Sequence, residues 1–157
     1  MLKYIGYYVV FREIPNEISL AINITNCPYK CINCHSPKLQ ENIGELLTYN
    51  ELDGIIRENP GITCVLFMGG DSDINELNIL AQQIKENYNL KVGIYSGSIF
   101  KFIIPKIKLK YFDYVKVGPY IENFGSLDKK STNQKLYKIK HFMRFNKLVN
   151  ITNEFWR

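Results

Sequence analysis

Three of the chain's four cysteines fall within eight residues, Cys27-Pro28-Tyr29-Lys30-Cys31-Ile32-Asn33-Cys34, a Cys-x3-Cys-x2-Cys spacing. A loop this short can turn three thiolates onto one face of a compact metal centre. It supplies three ligands where a structural zinc ion or an ordinary iron–sulfur cluster takes four. A 4Fe–4S cluster on Cys27, Cys31 and Cys34 would therefore keep one iron free to bind something else. The fourth cysteine, Cys64, lies in the apolar run Thr63-Cys64-Val65-Leu66-Phe67, which reads as a buried strand and makes Cys64 a small core residue. Two other readings compete for the loop. His35 offers a fourth ligand for a zinc site, but it directly follows Cys34, and adjacent residues seldom both turn onto one tetrahedral ion. A disulfide framework suits neither an odd cluster of three nor a chain long enough to build a core without staples.

The elements that must position this loop follow from the hydrophobic pattern. Tyr4 to Glu13 is rich in β-branched and aromatic residues and predicts a first strand. Ile18, Leu20, Ile22 and Ile24 alternate with polar or small residues, predicting a second strand that runs straight into the cysteine loop. Thr48-Tyr49-Asn50-Glu51 has the form of a capping box, opening a helix that Pro60-Gly61 stops near Asn59. Residues 63–68 predict a buried strand ending in Met68-Gly69-Gly70-Asp71. A helix over Ile74 to Tyr88 follows, with Ile74, Leu77, Leu80, Ala81 and Ile84 on one face. Lys91 to Tyr95 predicts a strand closed by Ser96-Gly97-Ser98, then a short helix to about Ile104, then a strand over Tyr111 to Val117 ended by Gly118-Pro119. The tail from Tyr120 is less regular, and His141, Tyr137, Phe142 and Phe145 are expected to serve packing.

The order β-loop-α-β-α-β-α-β predicts an α/β fold. A closed eight-unit barrel takes about 250 residues, so the expectation for residues 1–157 is a single domain forming a partial, open (β/α) barrel with a mostly parallel sheet. Sites in such folds gather at the C-terminal ends of the strands. Gly69-Gly70-Asp71 is then a neighbour of the cysteine loop, with two glycines that let a ligand lie against backbone. Tyr95, Ser96 and Gly97 end a strand on the same rim, and Lys116 offers a cation there, although a solvated strand-end lysine is the commoner case.

Composition narrows the rest. With 46% hydrophobic residues the chain can bury a sizeable core. It has no apolar run of ~18 residues, and Met1 to Gly6 lacks the apolar region of a secretory signal. Together with reduced cysteines this leads to the expectation of a cytoplasmic protein. The net charge of +5 is spread without a basic stripe, so neither nucleic acid nor membrane is expected as a partner.

Cys27-x3-Cys31-x2-Cys34 resembles the radical S-adenosylmethionine (SAM) signature, and Gly69-Gly70-Asp71 is similar to that superfamily's Gly-Gly-Glu element. Cys34-His35-Ser36-Pro37, Phe67-Met68-Gly69-Gly70-Asp71, Tyr95-Ser96-Gly97, Val117-Gly118-Pro119-Tyr120 and Ser131-Thr132-Asn133-Gln134 resemble, more narrowly, the activating proteins of anaerobic (class III) ribonucleotide reductases. That likeness runs from about Tyr4 to Trp156. It implies a 4Fe–4S cluster on the three cysteines, with SAM chelated at the free iron through its amino and carboxylate groups. An external one-electron donor such as flavodoxin or ferredoxin would drive cleavage to methionine and a 5′-deoxyadenosyl radical. That radical would take a hydrogen atom from a glycine of the reductase large subunit, the protein substrate. The resemblance places SAM against the backbone of Asn33, Cys34 and His35, against Met68, Gly69, Gly70 and Asp71, and beside Tyr95, Ser96, Gly97 and Lys116. It requires no acid–base dyad, so no general base is assigned. Two positions depart from the pattern: Asn33 stands where an aromatic residue is common, and Asp71 replaces the commoner Glu. The alternatives are an activase of another glycyl-radical enzyme, a radical SAM enzyme acting on a small molecule, and a zinc-stabilised binding module without catalysis. Compactness favours a protein substrate, because little chain remains to wall off a small-molecule cavity.

Overall fold

The computed structural model describes residues 1–156. Among them eight strands form one open sheet: β1 (Lys3–Val10), β2 (Ser19–Ile24), β3 (Glu45–Leu46), β4 (Cys64–Met68), β5 (Lys91–Tyr95), β6 (Tyr114–Val117), β7 (Lys135–His141) and β8 (Asn146–Asn150). The order across the sheet is β3-β1-β2-β4-β5-β6-β7-β8. Three helices accompany it, α1 (Tyr49–Glu58), α2 (Ile74–Asn87) and α3 (Phe100–Ile103).

The expectation of a mostly parallel sheet is corrected. Among the described residues β2/β4, β4/β5 and β5/β6 pair parallel, whereas β1/β2, β1/β3, β6/β7 and β7/β8 pair antiparallel. The reason lies in the connections. Crossovers through helices return the chain to the same end of the sheet, whereas direct loops reverse it. The irregular tail is also corrected, since it contains β7 and β8. Their apolar alternation is broken by Lys135, Lys138 and Lys140 on β7 and by Lys147 on the edge strand β8, where a charge discourages further pairing.

The two-residue period of the strands sorts their side chains onto two faces. Leu20, Ile22, Ile24, Val65, Phe67, Val92, Ile94, Val115 and Val117 pack on one face against all three helices, through Leu52, Ile55 and Ile56, Leu77, Leu80, Ala81 and Ile84, and Ile103. On the other face Ala21, Cys64, Leu66, Tyr114 and Leu136 are covered by Ile14, Leu127 and Ile151 from connecting segments. Cys64 is fully buried, as its apolar run implies.

The helix starts follow their caps. Thr48 Oγ1 accepts from the Glu51 N–H at 3.2 Å, and Asp73 accepts from the Glu76 N–H at 3.1 Å. Only half of the expected capping box forms at α1, because the Glu51 carboxylate accepts from the Tyr4 hydroxyl and ties the helix to β1. Phe142 and Phe145 depart from the packing expected of them. They are exposed at the β7–β8 tip and stack on each other at 4.7 Å. Tyr137 packs against Phe100, and His141 lies 3.3 Å from Asp113. No helix among the described residues is long and apolar enough to cross a membrane.

Candidate metal centre

β2 delivers the chain into the cysteine loop, and a set of backbone bonds closes that loop. The Asn26 N–H donates to the Glu41 carbonyl and the Cys27 N–H to the Leu39 carbonyl, both at 2.9 Å. Thr25 Oγ1 fixes the entry by donating to the Ile43 carbonyl at 2.6 Å. Asn26 and Asn33, the residues directly before Cys27 and Cys34, have φ of 60° and 55°. Asparagine enters this left-handed region more readily than most side chains. Asn33 thus has a backbone reason to stand where the radical SAM pattern favours an aromatic residue.

The thiols of Cys27, Cys31 and Cys34 are free and half-buried. They line a cavity of about 850 Å³, within the range of small-molecule sites. The opposite wall is built by strand ends. Register sets Met68 beside Tyr95 and Tyr95 beside Lys116, across β4, β5 and β6. Alternation turns these residues away from the helices.

Two glycine positions explain how the walls approach. Gly69 has φ 113°, and a Cβ there would lie 3.2 Å from the Ile24 carbonyl oxygen, where β2 gives way to the cysteine loop. At Gly97 a Cβ would fall 2.6 Å from the ring of Tyr29. That ring, carried in the spacer between Cys27 and Cys31, rests on bare backbone at the end of β5.

The electrostatics of the cavity are unusual for a finished core. Asp71 accepts from Ser96 Oγ and, at 3.4 Å, from the Gly97 N–H. Burial raises its carboxyl pKa above the ordinary value, with the Ser96 bond opposing that rise. Lys116 is only 8% exposed, which corrects the picture of a solvated strand-end lysine. Its Nζ donates to the Ser96 carbonyl at 3.1 Å and the Gly118 carbonyl at 2.9 Å. Among the described residues it has no ion-pair partner. Burial lowers its pKa to about 8. The Cys27 thiol is pushed up by burial and by the negative charge of Asp71, Cys31 and Cys34. Three ionised thiolates in one cavity repel one another, and bound metal cations relieve that repulsion.

Three thiols from one short loop are ligands of the kind an iron–sulfur cluster takes. Among the described residues no three of His, Cys, Asp or Glu stand close enough to share one metal ion. His35, the fourth ligand a zinc site would need, packs against Tyr120 with ring centroids 4.5 Å apart.

Of the residues singled out from the sequence, Cys27, Cys31, Cys34, His35, Met68, Gly69, Asp71, Tyr95, Ser96, Gly97 and Lys116 border this one cavity. Asn33 and Gly70 are placed elsewhere. The Asn33 side chain is exposed and donates to Glu122 at 2.6 Å. A Cβ on Gly70 would meet Leu77 of α2 at 3.1 Å, so that glycine serves helix packing. Sequence reasoning missed Arg12, Glu13, Tyr29, Leu127 and Phe155, which also line the cavity. Tyr29 could have been found from its place inside the cysteine spacer; the other four come from loops and from the short 3-10 helix over Thr152–Trp156, whose pattern carries no such signal.

No curated protein and no solved structure gives a significant match to the chain. A family model for a 4Fe–4S single cluster domain matches residues 18–140, from the start of β2 through most of β7, and so spans the cysteine loop and the strand ends opposite it. The chain belongs to the 4Fe–4S single cluster domain family.

Proposed function

We propose that the protein is a radical SAM activating enzyme whose protein substrate is a glycyl-radical enzyme, of the anaerobic ribonucleotide reductase type. On this reading β2, β4, β5 and β6, backed by helices on one face, form the superfamily's partial barrel, and the enzyme works in the cytoplasm with an external one-electron donor. Cys27, Cys31 and Cys34 would hold the cluster. A reduced 4Fe–4S cluster with one iron free of protein ligands supplies the electron that splits SAM, and the resulting radical chemistry removes a hydrogen atom from the partner's glycine.

The observation that carries the reading is Lys116, a buried cation with no ion-pair contact among the described residues, set in the same cavity as three free thiols and beside an Asp71 carboxylate that is bonded to Ser96 and Gly97 instead. A buried charge is costly until it is paired. The carboxylate of SAM is the missing partner. The remaining residues orient and shield. Asp71 holds the Ser96–Gly97 turn in place, so the backbone edges of β4 and β5 present fixed hydrogen-bonding groups. Tyr29 on Gly97 closes the space between loop and sheet and excludes water. A protein substrate is favoured by the rim, where Ile32, Ile121 and Phe124 expose apolar surface.

The test is anaerobic turnover of the cluster-loaded protein with SAM and dithionite. The expected products are methionine and 5′-deoxyadenosine in equal amounts. Intact SAM after full reduction of the cluster would refute the reading. With the reductase present, the expected product is a glycyl radical signal on that partner.

A further inference from the structure

We propose that residues 118–134 form a latched strap that holds the segment around Cys34 in place, with Glu122 and Tyr120 as positioning residues. The proposal rests on the reading of Cys34 as a cluster ligand. Two contacts make the latch. Asn33 Nδ2 donates to Glu122 Oε2 at 2.6 Å, and the rings of His35 and Tyr120 meet with centroids 4.5 Å apart, tilted by 59°. They flank Cys34 on either side.

The two halves of the cysteine loop are secured differently. The first half is seated on the sheet through Tyr29 and Gly97. In the second half, the bonds from the Cys34 N–H to the Cys31 carbonyl and from the Ser36 N–H to Cys34 Sγ stay within the loop. Those bonds fix its shape but not its position. Beyond Ser36 the chain is tied back at Leu39 and Glu41; at Cys34 itself, position comes from the strap.

The strap can act this way because it is itself rigid. Asn133 Nδ2 donates to the Pro119 carbonyl at 2.9 Å, Ser131 Oγ to the Phe124 carbonyl at 2.7 Å, and Thr132 Oγ1 to the Gly125 carbonyl at 3.0 Å. Leu127 is buried in the helix-free core, and its carbonyl accepts from Trp156 Nε1 at 3.0 Å. The strap begins at Gly118, whose carbonyl accepts from Lys116, so latch and cavity cation share one anchor. A hydrogen bond to a carboxylate and an aromatic contact each bias local opening severalfold. Together they set how often the Cys34 segment lifts away.

The test uses the full chain without cluster, reduced and anaerobic, with maleimide labelling of each cysteine followed by peptide mass spectrometry. In the Tyr120→Ala, Glu122→Ala double variant, Cys34 should label about tenfold faster than in the wild type, while Cys27 changes less than twofold. In the Tyr120→Phe, Glu122→Gln variant, which keeps the ring and an acceptor for Asn33, Cys34 should label as in the wild type. That variant also removes the Glu122 charge and so separates the latch from a charge effect on the thiol. An unchanged Cys34 rate in the alanine variant, an equal rise at Cys27, or faster labelling in the conservative variant would each overturn the proposal. Failure of the cluster reading appears separately, as wild-type protein that takes up no iron.

Discussion

Two buried charges lie on the helix-free face of the sheet, at opposite ends, and they are handled in opposite ways. At the N-terminal end of the parallel strands, Glu17 accepts from Lys91 Nζ and the Tyr114 hydroxyl, each at 2.7 Å, and from Thr63 Oγ1. Burial alone would raise its pKa, but those bonds win and hold it below the ordinary value. At the C-terminal end Lys116 donates to two carbonyls, and the nearby Asp71 carboxylate is bonded to Ser96 and Gly97 instead. Burial lowers its pKa, outweighing the opposing charge of Asp71. The first site is complete within the fold. The second makes no such contact with a carboxylate, and it is the one that shares a cavity with the thiols.

Substitutions at the two ends should therefore differ in what they damage. The largest effect belongs to the thiols. Cys27→Ser, Cys31→Ser or Cys34→Ser should leave essentially no iron and sulfide after anaerobic reconstitution, whereas Cys64→Ala, altering a core residue, should retain both. Next comes Lys116→Met. Loss of a charge-assisted bond to a carboxylate should weaken SAM binding about 30-fold, or about 2 kcal/mol. Removal of an unpaired buried charge should keep thermal stability within about 1 kcal/mol of the wild type. Calorimetry with SAM and a denaturant titration together check this pair of effects. Equal losses of affinity and stability would erase the contrast between the two ends.

Glu17→Gln should do the reverse, lowering stability by about 1.5 kcal/mol with SAM affinity unchanged. Its pH dependence has a definite sign. A carboxyl with a folded-state pKa below 4.5 stabilises fully above that value, and the contribution fades as pH falls through the folded-state pKa. The stability difference between wild type and variant should thus be present at neutral pH and shrink below about pH 4.5, as read by denaturant titrations across the acid range. The smallest effect is expected from Gly97→Ala. Its Cβ would press on the Tyr29 ring, costing about 1 kcal/mol and loosening cluster retention against a chelator. Unchanged retention would show that Tyr29 does not seat the loop.

What could be read from the sequence tracks how local each signal is. The cysteine spacing, the apolar alternation of β2 and the Gly-Gly-Asp tip are contained in short windows, so the loop, its strand and the wall opposite were legible. The burial of Lys116 was not, because it depends on β5, β7 and the strap converging around one strand end. β7 and β8 were hidden by lysines that interrupt their apolar alternation. The side-chain bond of Asn33 to Glu122, a partner 89 residues away, was likewise beyond any short window.

The measurement that bears most directly on the open iron is the electron paramagnetic resonance spectrum of the reduced, reconstituted protein with and without SAM. A 4Fe–4S signal whose g-values shift on adding SAM is the predicted result. A cluster signal indifferent to SAM, or colourless protein holding stoichiometric zinc, would contradict it.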